Sequence, residues 1–216
     1  MNKKNHKIAL VGCGRVAEHY IKILRKLKKI DFRVVAVCDV KKNRALDFSK
    51  KLGAKPYFNL KDMLKEIDVD LILILTPSGL HYEHSNLALD YKFNVLVEKP
   101  ISLLVSDAKK LLKKAKKNKL FLFVAFQNRY NKAIQKLKKD VENKSDKISL
   151  IDCSLLWSRS EEYYKTGWKG KYRTDGGVLA NQGIHLLDAL IYIFGPIKKF
   201  NVLAGYNKKK LQAEDI

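Results

Sequence analysis

The 216 residues of this chain are enough for one large domain or two small ones, and 46% of them are hydrophobic, which is ample for a core. The formal net charge is +22, yet only 7 of the 44 basic residues are arginine. Base recognition and bidentate phosphate contacts favour arginine, whereas lysines on helix faces are typical of solvated surfaces. Most of the charge is therefore interpreted as a lysine-rich bias on solvated helix faces rather than as a nucleic-acid site, and what remains can help to attract an anionic substrate.

Membrane and metal-binding classes are also disfavoured. No run approaches the roughly 18 apolar residues of a membrane span, and the polar start, 1–7, leads directly into a strand rather than a signal peptide. Cys13, Cys38 and Cys153 are scattered without metal-ligand spacing. We therefore expect reduced thiols, no metal site and a cytoplasmic protein.

The most informative stretch is a short apolar run followed at once by glycines. Residues 8–11 predict a buried strand, Gly12 and Gly14 allow a tight turn, and 15–27 is compatible with a helix. Ala17 occupies the third position of the G-x-G-x-x-G/A fingerprint. This order predicts a dinucleotide pyrophosphate at a helix N-terminus.

A second strand, 33–38, ends in Asp39, which lies 25 residues after Gly14. A carboxylate at that place can accept both ribose hydroxyls of an adenosine and repels a 2′-phosphate, so NAD is favoured over NADP. The alternative is an ordinary glycine turn with a surface aspartate.

Strands and helices then alternate as in a doubly wound parallel sheet, whose ligands bind at the carboxyl ends of the strands. The all-apolar run at 70–75 predicts a central strand buried on both faces. The further predicted elements are helices at 41–52, 60–67 (capped by Asn59), 80–91 and 106–118 (capped by Ser106), and strands at 56–58, 94–97 and 120–126.

The pattern changes near Tyr130, so we predict a Rossmann domain over 1–126 and a partial α/β domain with an open sheet over 127–216. The predicted elements of the second domain are a helix at 130–143, a strand at 147–157, a loop at 158–175, a helix at 178–194 and a strand at 198–206.

Four stretches, in this order and spacing, resemble the Gfo/Idh/MocA oxidoreductases. They are Gly-Cys-Gly-Arg-Val-Ala at 12–17, Thr-Pro-Ser-Gly-Leu-His at 76–81, Glu-Lys-Pro at 98–100, and the segment 176–188. The resemblance implies an N-terminal Rossmann domain and a C-terminal α/β domain. The open sheet of the latter carries the substrate and often the contact between the copies of a homo-oligomer.

Within that family, three further stretches resemble nucleotide-sugar 3-dehydrogenases: 126–131, 157–164, and 168–170 before the Asp-Gly-Gly at 175–177. Those enzymes oxidise C3 of UDP-N-acetylglucosamine or its uronic acid, toward amino sugars of surface polysaccharides such as lipopolysaccharide. The resemblance implies NAD as cofactor and a UDP-sugar as substrate. In some relatives a 2-oxo acid recycles the cofactor in place.

Oxidation of a secondary alcohol needs a hydride acceptor and a group that takes the hydroxyl proton. Lys99 follows a predicted strand, where partial burial would lower its pKa toward that of a base. His185 titrates in the useful range, and Asn181 lies one helical turn before it, as a donor and orienting group. The alternatives are a surface turn for Lys99 and a core histidine for His185, while Asp188 is expected to be structural.

The resemblance extends the candidate site to further residues. Lys169 stands where arginine is more usual, which weakens a bidentate contact. His19 and His84 are expected to be solvated. The cofactor candidates are Gly12, Gly14, Arg15, Val16, Asp39, Thr76, Pro77, His81, Glu98, Lys99, Gln127 and Trp168, and the substrate candidates are Lys99, Arg159, Tyr163, Lys169, Asn181 and His185.

The chain departs from the family in length, because relatives continue past residue 216 with several further strands. We therefore expect either a C-terminally truncated piece or a half-sheet that pairs with another partner. Three functions stay open: a nucleotide-sugar 3-dehydrogenase, a dehydrogenase of the same family for a free sugar or polyol, and a non-catalytic NAD-binding protein.

Overall fold

The computed structural model describes residues 5–27, 31–143, 148–165, 167–203, 205 and 212–214. The chain forms two compact units that meet in sequence between Ala125 and Phe126, one residue before the predicted boundary. Each unit has its own secondary structure.

The first unit contains a six-stranded sheet in which every neighbouring pair of strands is parallel. The spatial order β3-β2-β1-β4-β5-β6 is that of a Rossmann fold, as the alternation of strands and helices predicts. The strands are β1 His6–Val11, β2 Phe32–Cys38, β3 Lys55–Tyr57, β4 Leu71–Ile74, β5 Val95–Val97 and β6 Leu122–Val124.

The strands of the centre are buried on both faces, which explains why their sequences are runs of apolar residues rather than alternating patterns. Ile72 and Ile74 of β4 pack in one core cluster, whereas Leu73 packs in the cluster on the opposite face. Leu10 and Val37 of the neighbouring strands are also fully buried in that second cluster.

Helices follow the strands as the sequence predicts, with local differences at their starts. Asn59 caps its helix, since its side chain accepts a hydrogen bond from the backbone of Asp62. The predicted cap at Ser106 is wrong, because that helix begins at Val105 and its N-cap is Leu104. The helices are α1 Arg15–Lys26, α2 Lys42–Leu52, α3 Leu60–Glu66, α4 His81–Asp90 and α5 Val105–Asn118.

The second unit is helical in its described part. A 3₁₀ turn over Gln127–Tyr130 precedes α6, Lys132–Asn143, and the short α7, Glu161–Tyr164, lies in the predicted loop. A π-helical turn, Leu179–Gly183, leads into α8, Ile184–Phe194. The sequence predicts a regular helix at that place, so the wider turn is a correction.

Both strands predicted for the second unit are wrong in their described residues, 148–157, 198–203 and 205, which belong to no sheet. Lys147, Ala204 and Tyr206 lie outside the described residues. An extended segment becomes a strand only when a neighbour offers its backbone groups, and an alternating pattern does not supply that neighbour. The apolar side chains of Leu150, Leu156 and Leu203 are accordingly exposed.

Among the helices in the described ranges, none has both the length and the apolar character needed to cross a membrane.

Candidate active site

The glycine turn after β1 is closed against the end of β4. Gly12 has φ of +95°, and a Cβ atom there would lie 2.8 Å from the carbonyl group of Leu75 and 2.9 Å from the nitrogen of Thr76. Its N–H group donates to the carbonyl of Cys38 at 2.8 Å, so the turn also closes on the end of β2. Only glycine satisfies both the conformation and the space.

Gly14, by contrast, faces open space. It is the N-cap of α1, makes no side-chain cap, and a Cβ atom added to it would meet nothing within 4 Å. Arg15 and Val16 of the first turn are exposed. The first N–H groups of the helix therefore lie beside a surface that an anion can approach.

Asp39 is held at the same edge by backbone donors. Its Oδ2 accepts a hydrogen bond from the N–H of Cys13 at 2.9 Å, and its Oδ1 accepts one from Lys41 at 2.8 Å. These bonds fix a carboxylate next to the glycine turn. The two glycines, the helix start and this acid together fit the pyrophosphate and the adenosine ribose of NAD.

The segment after β4 is organised by two histidines. The ring nitrogens of His81 lie 2.7 Å from the carbonyl oxygens of Thr76 and Pro100, and the ring is buried. Burial lowers the pKa of His81, although both carbonyl oxygens oppose that shift. His81 therefore ties the segment after β4 to the turn after β5, while direct contact of its ring with the cofactor stays a prediction.

His84 is half-buried rather than solvated, so that expectation is wrong. Its Nδ1 lies 3.1 Å from the hydroxyl of Thr76, and burial lowers the pKa of its ring. Thr76 is thus held through its hydroxyl by His84 and through its carbonyl by His81, and it lies beside Pro77 at the ligand edge of the sheet.

Glu98 and Lys99 follow β5 and are both half-buried. Oε1 of Glu98 accepts a hydrogen bond from the hydroxyl of Tyr20 at 2.8 Å, and Oε2 accepts one from the backbone N–H of Lys99 at 3.3 Å. Lys99 therefore lies at the carboxyl edge of the sheet, next to an oriented carboxylate. A base role for it stays a prediction.

In the second unit, Asn181 lies in the π-helical turn and His185 in the first turn of α8, and both are half-buried. π-helical turns occur often at functional sites. The amide nitrogen of Asn181 donates to Oδ1 of the buried Asp175, whose Oδ2 accepts the N–H of Gly170 at 2.7 Å. The Asn181 side chain is thus oriented by Asp175, a carboxylate that lies in one of the stretches resembling the family but for which the sequence predicts no role.

Asp188 is structural, as expected. Its carboxylate receives the guanidinium of Arg129 in two parallel hydrogen bonds, of 2.9 Å from Nε and 2.5 Å from Nη2. The guanidinium also lies 5.3 Å from the ring centroids of Phe126 and Tyr192. This pair fixes the 3₁₀ turn at 127–130 to the helix that carries His185.

Two cationic side chains gather around aromatic rings near α7. The guanidinium of Arg159 lies 4.0 Å from the ring of Trp157 and 4.7 Å from that of Tyr163. Nζ of the buried Lys169 lies 3.1 Å from the Tyr163 ring and 5.4 Å from the Trp168 ring. We call Trp157, Arg159, Tyr163, Trp168 and Lys169 the cation–aromatic cluster. It joins four of the predicted ligand residues.

The candidate residues therefore form two groups. The structure brings Gly12, Gly14, Asp39, Thr76 and Glu98 to one edge of the sheet in the first unit. Asn181 and His185 share one helical segment of the second unit, and Gln127 lies exposed in its first turn. Lys99 belongs to the first unit, so its meeting with Asn181 and His185 in one site stays a prediction.

Four residues were not identified as supporting groups from the sequence: Tyr20, Arg129, Asp175 and Glu214. Arg129 and Asp175 lie inside the stretches that resemble the family. Their partners, however, are 59 and 6 residues away, and no spacing rule connects either residue to its partner. No cluster of three or more His, Cys, Asp or Glu side chains that could hold a metal occurs among the described residues.

Comparisons with known proteins agree with this architecture. Residues 6–126 match the GFO_IDH_MocA model, described as an oxidoreductase family with an NAD-binding Rossmann fold. Residues 134–216 match the GFO/IDH/MocA C-terminal domain. The prediction of an NAD-binding Rossmann domain is thereby confirmed.

Solved structures provide the second comparison. The WlbA dehydrogenase from Chromobacterium violaceum, crystallised with NADH and UDP-GlcNAcA, is 32% identical, with a TM-score of 0.95 over 100% of this chain and 63% of its own. WlbA from Bordetella pertussis, in complex with the same two ligands, is 29% identical, with a TM-score of 0.94 over 100% of this chain and 65% of its own.

Among curated sequences, myo-inositol 2-dehydrogenase of Thermotoga maritima is 28% identical over 191 residues, which are 88% of this chain and 55% of that protein. The chain thus spans about half the length of the curated relatives that it matches. The family match itself covers more than half of the chain, in the unit that carries the glycine turn. The chain is therefore a member of the Gfo/Idh/MocA oxidoreductase family.

Proposed function

We propose that this protein oxidises the C3 hydroxyl of a UDP-N-acetylhexosamine or its uronic acid with NAD, in the biosynthesis of amino sugars for surface polysaccharides. The observation that carries the proposal is the similarity, over the whole chain, to two dehydrogenases crystallised with NADH and UDP-GlcNAcA. Both contain further residues beyond those matched here, so the activity is a proposal for the whole protein.

The cation–aromatic cluster supports a nucleotide-sugar substrate. A diphosphate or a sugar carboxylate needs fixed cations, and Arg159 and Lys169 are held against the ring of Tyr163. Aromatic faces at the same place suit the stacking of a nucleobase. A free polyol would need neither group, so the cluster favours the UDP-sugar over inositol.

The reaction requires removal of a proton from oxygen and of a hydride from carbon. NAD, when bound, supplies the hydride acceptor. Lys99 and His185 are the groups that can take the hydroxyl proton, since an amide such as that of Asn181 is not a base. Glu98 orients the turn that carries Lys99, and Asp175 orients Asn181.

The test measures the formation of NADH by the 216-residue chain, and the near-ultraviolet absorbance of NADH is the readout. UDP-N-acetylglucosamine, its uronic acid, myo-inositol and glucose are supplied separately with NAD. Lys99→Met and His185→Gln are the site variants, and Lys61→Met and His19→Gln are matched exposed controls. We expect turnover with one UDP-sugar, lost by at least about 100-fold in the site variants only, as expected for general-base removal.

Turnover of inositol or glucose with none from the UDP-sugars would replace this proposal by the free-polyol dehydrogenase, for which the Thermotoga relative is the precedent. Binding of NAD without turnover of any sugar would favour a non-catalytic NAD-binding protein. A 2-oxo acid is added in a last run, because the proposal includes recycling of bound NADH by such an acceptor.

A further inference from the structure

Asp175 is a buried carboxylate with a defined partner on each oxygen. The residue is 3% exposed, its Oδ2 accepts the N–H of Gly170 at 2.7 Å, and its Oδ1 accepts the amide N–H of Asn181. Its own backbone N–H donates to the carbonyl of Lys171 at 2.8 Å. The carboxylate thus bridges a loop and the π-helical turn.

The segment between Asp175 and Asn181 is held from a second side. Glu214 is buried, its carbonyl accepts the N–H of Val178 at 3.1 Å, and its Oε1 accepts that of Leu179 at 3.3 Å. A Cβ atom on Gly177, which has φ of +83°, would overlap the Glu214 carboxyl group. The backbone that joins the two partners is therefore fixed.

This arrangement decides which end of the Asn181 amide faces Asp175. The amide nitrogen of Asn181 donates to Oδ1, so the NH₂ group is the end of the amide that is directed at Asp175. The carbonyl oxygen occupies the other branch of the planar amide, away from Asp175. To act as a donor toward substrate, as the sequence analysis expects, Asn181 would have to use the second N–H of its amide, because the first is engaged by Asp175.

We infer that Asp175 is a positioning residue that makes Asn181 present its carbonyl oxygen, a hydrogen-bond acceptor, to a hydroxyl or amide N–H of the substrate. The inference rests on the proposed function, in which Asn181 meets the sugar.

Three variants of the full chain test the inference: Asp175→Asn, Asn181→Asp, and the double variant that exchanges the pair. In Asp175→Asn the single remaining oxygen at position 175 is needed by Gly170, so the new NH₂ group meets Asn181 and reverses its amide. In Asn181→Asp two carboxylates face each other, which is unfavourable. In the double variant the amide at position 175 can donate to the carboxylate at position 181, and an oxygen again faces the substrate.

With the UDP-sugar that the wild-type chain oxidises, we expect each single variant to lose about 10- to 100-fold in kcat/KM, the size of one hydrogen bond to a charged group. The double variant should regain at least about tenfold over either single variant. Glu214→Gln is the control: it keeps an acceptor oxygen for the N–H of Leu179 and the backbone carbonyl that accepts Val178, so kcat/KM should change by less than about threefold. Unchanged kinetics in Asp175→Asn, or no recovery in the double variant, would overturn the inference.

The failure of the proposed function is recognised separately, since it is the absence of turnover in the wild-type chain. In that case the NMR signals of the Asn181 side-chain amide give the answer. They should move in Asp175→Asn and stay in place in Glu214→Gln, and signals unmoved in Asp175→Asn would refute the pairing itself.

Discussion

The hydroxyl of Tyr20 donates a 2.8 Å hydrogen bond to Glu98, and thereby joins the helix after the glycine turn to the turn that carries Lys99. Burial, followed by the nearby Glu98 carboxylate, raises the pKa of Tyr20. The phenol therefore stays protonated at neutral pH and remains the donor. The pair couples the cofactor edge of the sheet to the candidate base.

Replacement of Tyr20 by phenylalanine should lower the free energy of unfolding by about 1–2 kcal/mol, because a part-buried carboxylate loses its donor. It should also weaken NAD binding, since Glu98 and the start of α1 lose their connection. Urea unfolding and an NAD titration measure the two effects. Tyr82→Phe removes a hydroxyl from another half-buried tyrosine of the same unit and serves as the control. Equal behaviour of both variants would show that the Tyr20–Glu98 bond is of no consequence.

Alanine substitutions at the two glycines of the turn should distinguish an effect on folding from an effect on cofactor binding. Gly12→Ala forces a Cβ atom into the backbone of Leu75 and Thr76 at a positive φ, so we expect a loss of at least about 2 kcal/mol of stability. Gly14→Ala meets nothing in the protein and has an ordinary extended φ, so its melting temperature should stay close to that of wild type.

NAD affinity is the second readout for this pair of variants. We expect the pyrophosphate at the helix start, where the methyl group of Gly14→Ala would hinder it, so affinity should fall by about tenfold or more in a chain that is still folded. Calorimetric titration and thermal melting of both variants give the comparison. Unimpaired NAD binding by Gly14→Ala would contradict the placement of the pyrophosphate at this helix.

The local signals of the sequence agree with the burial of the chain most closely in the first unit. The apolar run at 70–75 predicts a central strand, and β4 is buried between strands on both sides. The glycine turn and Asp39 were found from spacing alone, because the Rossmann motif demands particular backbone conformations at those positions. The geometry of this half of the candidate site was therefore predictable.

The second unit shows what the sequence did not reveal. The alternating pattern at 147–157 gives the faces of a strand but not its neighbour, and the described residues form none. Asp175 and Asn181 both lie in stretches that resemble the family. Their hydrogen bond nevertheless depends on the positive-φ glycines and the π-helical turn between them. Such contacts follow from tertiary packing, which overrides the helical period of the segment.

The Arg129–Asp188 pair yields a prediction about charge burial. Asp188 is 8% exposed, whereas the Arg129 side chain is 42% exposed, so solvent screens one end of the pair. Arg129→Met should destabilise the second unit by about 2 kcal/mol, because it leaves a buried carboxylate without its cation. The double variant Arg129→Met with Asp188→Leu should be more stable than the single one.

Hydrogen exchange of the α8 amides follows the second unit separately from the first. Arg129→Lys keeps the charge but loses the bidentate geometry. The stability of its second unit should therefore lie between those of wild type and Arg129→Met. A double variant as unstable as Arg129→Met would mean that packing of the long arginine side chain on Phe126 and Tyr192, rather than the ion pair, stabilises α8.

His84 makes the stability of the first unit depend on pH. Burial lowers the pKa of its ring below the ordinary value of 6.5, so the unfolded chain binds the proton more tightly than the folded one. The contribution of the His84 ring to the free energy of unfolding is fully present above about pH 6.5, and it is lost as the pH falls toward the lower pKa of the folded state. Urea unfolding at about pH 7 and about pH 5 should therefore show a smaller loss in the free energy of unfolding for His84→Gln than for wild type.

Two other histidines serve as references for this prediction. The pKa of His81 is lowered in both proteins, so the difference between wild type and His84→Gln reports on His84. His19→Gln, at an exposed position of α1, should lose as much stability between about pH 7 and about pH 5 as wild type does. An equal loss of unfolding free energy in all three proteins would show that the His84 ring is not desolvated.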